Sequence, residues 1–128
     1  MNWKKLKTLS HQIKEGEPVS STFLWGVDDE GNILIRSNKT NKKFSSSDYN
    51  AMLSHVNSHR GIPLGSRRDG TVPSDSLGAL MEKRFKSSSI RGWCSHFASI
   101  AVYQRDINYE DKGRGPGKGI WLFPKNYR

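Results

Sequence analysis

A glycine-rich basic loop near the end of the chain limits most strongly what this sequence can fold into. The loop DKGRGPGK, residues 111–118, lies between two runs with apolar and aromatic residues, 107–110 and 119–123. Such runs on either side of a loop predict a β-hairpin, and the glycines allow its tip to turn tightly. A Ser-capped apolar segment with helical periodicity, residues 89–103, comes directly before the hairpin. The last third of the chain therefore predicts a helix followed by a hairpin with a positively charged tip.

Two further helices are predicted between residues 45 and 88. Ser45 and Asp48 have capping-box spacing in front of the apolar residues of the first of these helices. Ser74 is the expected N-cap of the second. Gly78 lies inside this second helix, where glycine costs about 1 kcal/mol relative to alanine, and it therefore suggests close packing. A short run at residues 62–64 is a candidate strand between the two helices.

The first 44 residues are predicted to form an extension with a helix and a hairpin. Apolar residues recur at helical spacing in residues 2–14, which predicts a narrow amphipathic helix. Residues 22–27 and 32–36 are β-rich runs around a glycine-containing turn and predict the hairpin. Residues 37–43 are expected to be a polar loop. The predicted division is thus an extension, residues 1–44, and a second domain, residues 45–128.

The charge balance favours a polyanionic partner. The chain has 21 Lys and Arg against 12 Asp and Glu, a formal net charge of +9, and the excess is spread over both parts. A field of this sign attracts nucleic acid or an anionic membrane. No apolar run approaches the length needed to span a bilayer, and the N-terminal segment lacks the apolar core of a signal peptide. With a single cysteine, Cys94, these features predict a cytoplasmic protein without a membrane partner.

From Ser45 onward the expected order is helix, short extended piece, helix, short break, helix, strand, loop and strand. This order resembles the winged-helix class of helix-turn-helix nucleic-acid-binding domains, over residues 45–123. The resemblance implies an α+β fold with three helices and a C-terminal β-hairpin, preceded here by the N-terminal extension. It also implies that residues 89–103 are the recognition helix and that residues 111–118 are the wing.

Candidate DNA-binding residues follow from this resemblance and from the distribution of charge. The apolar side of the recognition helix is assigned to the core, which leaves on its outer side Ser88, Arg91, Ser95, His96 and Ser99. Arginine can donate two hydrogen bonds to guanine, and serine hydroxyls suit phosphates. Phosphate contacts are expected from the wing and from the loop between the first two helices. These residues are Lys112, Arg114 and Lys118 in the wing, and Arg67 and Arg68 in the loop.

The resulting hypothesis is a non-catalytic DNA-binding protein or module, of the kind used in transcription regulation, that contacts duplex DNA. No catalytic residue, metal or cofactor is assigned. A nucleotide-binding loop is excluded because Lys118 is followed by a glycine and a strand and not by the hydroxyl residue and helix of a phosphate-binding loop. The N-terminal extension is a candidate surface for a homodimer or a protein partner.

Two alternatives remain open from the sequence. The first is a protein-interaction or inhibitor module that uses an aromatic patch, namely Trp25, Trp121, Phe123 and Tyr127. The second is a small nuclease that uses clustered carboxylates or a histidine base, namely Asp28, Asp29 and Glu30, or His55 and His59. Zinc binding by the histidines and Cys94 is disfavoured because the spacing of Cys94 and His96 is unusual for ligands.

Overall fold

The computed structural model describes residues 2–9, 21–66, 71–113 and 117–126. In this part of the chain the fold is α+β, with three α-helices and two antiparallel sheets. The first sheet has the order β1–β2–β3–β4, with strands β1 (Lys4–Lys7), β2 (Thr22–Val27), β3 (Ile33–Ser37) and β4 (Thr40–Phe44). The second has the order β5–β7–β6, with strands β5 (Ile62–Pro63), β6 (Ile107–Asp111) and β7 (Ile120–Pro124). The helices are α1 (Ser46–Asn57), α2 (Leu77–Phe85) and α3 (Cys94–Tyr103).

The prediction of an N-terminal helix over residues 2–14 is wrong for residues 2–9, the part of this range that the structure describes. Residues 4–7 form β1, with Lys4 opposite Trp25 and Leu6 opposite Phe23. Pairing with β2 satisfies the backbone groups on one edge of the strand and packs Leu6 against the core, whereas a short isolated helix with one apolar stripe is marginal in water. Residues 10–14 of that prediction lie outside the described residues.

The predicted β2–β3 hairpin is confirmed, but the polar loop predicted for residues 37–43 is wrong. A tight turn with Asn38 at a φ of 53° leads into β4 at Thr40. The last residue of β4, Phe44, is completely buried, and its ring contacts Phe85 edge-on with 5.5 Å between ring centroids. Burial of this ring and the ladder with β3 outweigh the low strand preference of the intervening lysines.

The capping box at the start of α1 is confirmed. The Ser45 hydroxyl accepts a hydrogen bond from the Asp48 amide at 3.0 Å, and the Asp48 carboxylate accepts one from the Ser45 amide at 3.0 Å. Arg84 on α2 also donates to Asp48, at 2.9 Å. Partial burial opposes ionisation of Asp48, but these hydrogen bonds outweigh it and hold the pKa of the carboxyl below its usual value.

Helix α2 begins two residues later than predicted, after Ser76 and not after Ser74. The completely buried Ser76 hydroxyl accepts a hydrogen bond from the Ala79 amide at 3.1 Å. The close packing suggested by Gly78 is confirmed. Its amide donates to the Leu64 carbonyl at 3.0 Å, and a methyl group at this position would overlap the Gly65 carbonyl oxygen.

The segment predicted as one helix, 89–103, is divided in two. Residues Ser88–Trp93 form a 3₁₀ helix, and the α-helical part starts at Cys94. Gly92 has low helix propensity, and the Ser87 and Ser89 hydroxyls bond each other at 2.8 Å. Both features weaken a regular α-helical start.

One core joins the two predicted parts of the chain. Its buried residues come from the first sheet, from all three α-helices and from the second sheet. Helix α3 lies within it, and every residue from His96 to Ala101 is buried. Within the described ranges, no helix combines the length and apolar character required to cross a bilayer.

Candidate nucleic-acid interface

The predicted C-terminal hairpin is confirmed as β6 and β7. Its ladder runs from Ile107 opposite Pro124 to Asp111 opposite Ile120. Beyond the ladder, the Lys112 amide donates to the Gly119 carbonyl at 2.8 Å, and the Gly119 amide donates to the Gly113 carbonyl at 2.7 Å. These bonds hold the base of the tip closed, so the lysines on either side of it are fixed relative to the sheet.

The tip presents two lysines next to open backbone. Lys112 and Lys118 are both exposed, and neither forms an ion pair within the described part of the chain. Lys112 Nζ lies 4.3 Å from the centroid of the Trp121 ring, a cation–π contact that restrains the lysine. Gly113 and Gly117 have positive φ, and an added Cβ at either position would meet no described residue within 4 Å. A phosphate can therefore approach this backbone closely.

The first sheet and Leu9 cover the part of α3 that carries His96 and Ser99, which was expected to face outward. His96 is 8% exposed, its Nε2 lies 3.1 Å from the Ser37 hydroxyl at the end of β3, and its ring packs edge-on against Phe23. The Ser99 hydroxyl, 5% exposed, accepts from the Leu9 amide at 2.8 Å and donates to the Ser95 carbonyl at 2.7 Å. The predicted exposure of these two side chains is thus wrong.

The predicted exposure of Arg91 is also wrong. This side chain is buried between the 3₁₀ helix and α2, with the residue 5% exposed, and its Nε lies 3.7 Å from a Glu82 carboxylate oxygen. A guanidinium held in this way cannot also donate two hydrogen bonds to a guanine in a groove. Here Arg91 joins α2 to the segment before α3.

The remaining predicted residues are divided between partly exposed and undescribed positions. Ser95 is half-buried, and Ser88 is described by its backbone, which begins the 3₁₀ helix. Arg67, Arg68 and Arg114 lie outside the described residues. Of the predicted set, the structure therefore brings together at an exposed surface the two wing lysines, Lys112 and Lys118.

A polar cleft of about 430 Å³ lies between the β3–β4 turn and the 3₁₀ helix. The Ser37 and Thr40 hydroxyls, Trp93 and the His96 imidazole line it. Trp93 and His96 pack at 4.9 Å between ring centroids. The Ser37 hydroxyl is directed at His96 and its residue is 8% exposed, so the pair joins β3 to α3 and does not present a nucleophile to solvent.

Of the groups considered for a nuclease, Asp28, His55 and His59 have structural partners, and Asp29 and Glu30 are exposed. Asp28 accepts hydrogen bonds from the Asn32 side chain and backbone and from the Glu30 amide, and these, led by the Asn32 side chain, lower the pKa of its carboxyl. His59 Nδ1 lies 2.6 Å from the His55 carbonyl oxygen, and His55 Nε2 lies 3.2 Å from the Asp75 carbonyl oxygen. Among the described residues, no group of three or more potential ligands is placed to hold a metal ion.

Cys94 is a buried thiol. Its Sγ lies 3.3 Å from the Met81 sulfur, and burial raises the pKa of the thiol to about 12. A thiol with such a pKa is almost entirely protonated at neutral pH and is a poor nucleophile.

The aromatic patch proposed for a protein partner is wrong for two of its four members. Trp25 is 3% exposed and Phe123 is 6% exposed, so both rings belong to the interior. Trp121 is half-buried beneath Lys112, and Tyr127 lies outside the described residues.

A second basic surface, on the outer face of the first sheet, was missed in the sequence. Its outward residues are those that alternate with the buried ones, including Lys5 and Lys7 on β1 and Arg36 on β3. The alternation in WKKLK was the available signal, but the same letters also fit a helical stripe.

Comparisons of the chain with protein-family models, with curated proteins and with solved structures give no match.

Proposed function

We propose that this protein is a non-catalytic nucleic-acid-binding protein that contacts the duplex DNA backbone through the β6–β7 hairpin. We further propose that its C-terminal part belongs to the winged-helix class, with this hairpin as the wing. An α+β fold with three α-helices and the antiparallel β6–β7 hairpin after α3 is compatible with this class. The 3₁₀ helix between α2 and α3 and the four-stranded sheet before α1 depart from the expected order. The observation that carries the function is the pair of exposed lysines at the hairpin tip, Lys112 and Lys118, which form no ion pair with any described residue.

The wider charge distribution supports a polyanionic ligand. Among the basic side chains that the structure describes, only Arg84 and Arg91 form an ion pair with a carboxylate. Lysines and arginines without such partners remain available to replace the counterions around phosphates. Release of those counterions is the main source of sequence-independent affinity for DNA.

The burial of α3 favours binding to the backbone over recognition of base sequence. Base edges in the major groove are usually read by side chains on an exposed helix or ribbon. The side chains of Arg91, His96 and Ser99, which were assigned this role, have structural partners in the interior. We therefore expect similar affinity for duplexes of different sequence.

Fluorescence anisotropy tests this proposal. The full chain is titrated into a labelled mixed-sequence duplex of about 20 base pairs, a length within the size range of ordinary protein sites. The logarithm of the affinity should fall linearly with the logarithm of salt concentration between about 50 and 200 mM. Lys118→Ala should weaken all duplexes alike and reduce the magnitude of that slope by about 1.

Lys125→Ala is the matched control, because Lys125 is an exposed lysine just beyond the opposite end of the same hairpin. It should leave the affinity and the slope close to those of the unmodified protein. Equal losses for both variants would assign binding to net charge and reject the wing. Affinity that does not change with salt, or no binding to duplex, would reject the proposed function.

A further inference from the structure

The outer face of the first sheet forms a second basic surface, here called the sheet platform. The register places Lys5, Leu24 and Arg36 side by side on it, and Lys7 and Lys43 lie on the same face. The opposite face carries the buried Phe23, Trp25 and Ile35. Because neighbouring strands are about 4.8 Å apart, four strands make a surface about 14 Å wide.

The charge of the sheet platform has one sign. Strands β1 to β4 read KKLK, TFLWGV, ILIRS and TNKKF, without a carboxylate. Lys5, Lys7 and Arg36 are exposed and form no ion pair in the described structure. In the described turns that join these strands, the carboxylates lie between β2 and β3, where the charge of Lys43 adds to the hydrogen bonds from Asn32 that lower the pKa of the Asp28 carboxyl. Lys7 and Arg36 lie toward the opposite end of the sheet.

An aromatic ring and a guanidinium plane lie together on the sheet platform. The Arg36 guanidinium carbon lies 4.5 Å from the centroid of the Trp3 ring. Trp3 is half-buried, and beside the pair the half-buried Leu24 adds an apolar patch. Aromatic rings and arginine planes are the groups on which unpaired bases stack, and lysines around them contact the phosphates.

This combination fits a single strand better than a duplex or a membrane. A duplex hides the faces of its bases, so it could use the lysines but not the ring. Binding to a membrane surface needs a large exposed apolar area, whereas the outward apolar side chains here, Trp3, Leu24 and Leu34, are half-buried between charges. A single strand can use the exposed charge and the stacking plane together.

We propose that the sheet platform is a binding site for single-stranded nucleic acid, with bases stacked on Trp3 and Arg36 and phosphates at Lys5 and Lys7. This inference extends the proposed function, because it adds a second ligand class at a site separate from the wing. The protein then has a duplex-contacting hairpin on one sheet and a single-strand site on the other.

The test compares the full chain and its variants with labelled mixed-sequence DNA and RNA single strands of about 12 nucleotides, a length within the site sizes of single-strand-binding domains. Trp3→Ala should weaken binding to single strands about tenfold, the usual effect of losing one stacked base, and leave duplex affinity unchanged. Lys118→Ala should show the reverse pattern. Lys5→Glu should weaken binding to single strands more steeply at low salt than at high salt.

Tyr109→Ala is the control for loss of an aromatic ring, because Tyr109 is 45% exposed and lies on β6 in the other sheet. Circular dichroism and thermal unfolding of each variant establish that it is folded, and Arg36→Gln tests the same site without removing the ring. Unchanged single-strand affinity in folded Trp3→Ala and Arg36→Gln would overturn the inference. Binding of anionic vesicles without binding of single strands would overturn it as well.

Failure of the two proposals can be told apart. Duplex binding that depends on Lys118, together with single-strand binding that is insensitive to Trp3, rejects the platform and leaves the wing. Single-strand binding that depends on Trp3, with no duplex binding, rejects the wing and leaves the platform.

Discussion

Tyr49 illustrates how a single hydroxyl links α1 to the turn that follows α3. It donates to an Asp106 carboxylate oxygen at 2.7 Å and accepts from the Gln104 amide at 2.8 Å. Burial first, and then the Asp106 carboxylate, raise the pKa of Tyr49 well above its usual range. The folded protein therefore keeps this proton at a pH where the unfolded chain has lost it.

Because the pKa of Tyr49 is higher in the folded protein, its contribution to stability is fully present below the unfolded pKa of about 10. Above that pH the unfolded chain loses the proton first, and the contribution is progressively lost. We expect the free energy of unfolding, measured with urea between about pH 7 and pH 11, to fall as the pH passes about 10. Tyr49→Phe should be about 1 kcal/mol less stable at neutral pH. Its free energy of unfolding should also fall less above pH 10. Tyr109→Phe, at an exposed position, should retain the full fall, and an equal loss in both variants would contradict this account.

At the scale of elements, features set by local sequence signals were predicted correctly, and features set by long-range contacts were not. The α1 capping box was predicted correctly because it depends on two residues three positions apart. The C-terminal hairpin was predicted correctly because a glycine-rich turn signal lies between its two strands. That residues 4–7 form a strand was not predicted. The partner strand β2 follows a connection of fourteen residues, 8–21, and pairing with it overrides the helical pattern of the sequence. For the same reason the burial of α3 could not be predicted, because it depends on Leu9, Phe23 and Ser37 from distant parts of the sequence.

Gly78→Ala separates helix propensity from packing in α2. Propensity alone predicts a gain of about 1 kcal/mol, because alanine is the better helix former. The packing predicts the opposite, since a methyl group would collide with the Gly65 backbone carbonyl and disturb the bond from the Gly78 amide to Leu64. We expect a loss of roughly 1–3 kcal/mol in chemical denaturation. A stabilised variant would show that the approach of α2 to residue 65 is looser than described.

The control for that experiment is a position on the same helix with space around it. Lys83→Ala changes an exposed residue of α2 to the best helix former. It should leave the free energy of unfolding within about 0.5 kcal/mol. A loss at Gly78 together with no effect at Lys83 would assign the cost to the contact with Gly65.

At the scale of the whole molecule, the two sequence-predicted domains share one core. Ile35, 1% exposed, lies in the same buried cluster as Met81 and Leu122, which come from α2 and β7. We therefore expect one unfolding transition, with circular dichroism and tryptophan fluorescence changing together. Ile35→Ala should lower the stability monitored by both probes by about 2–4 kcal/mol. Two separate transitions, one of them insensitive to this change, would instead support the division at residue 45.

The enclosure of α3 determines where this chain can accept mutations. Polar replacements of the apolar residues in this helix, Phe97, Ala98, Ile100 and Ala101, would place unsatisfied groups in the interior, so a library selected for soluble protein should lose nearly all of them. Outward positions of β1, such as Lys5 and Lys7, should accept most amino acids in the same selection. A subsequent selection for ligand capture would then change the allowed residues on the strands while leaving those of the central helix as they were.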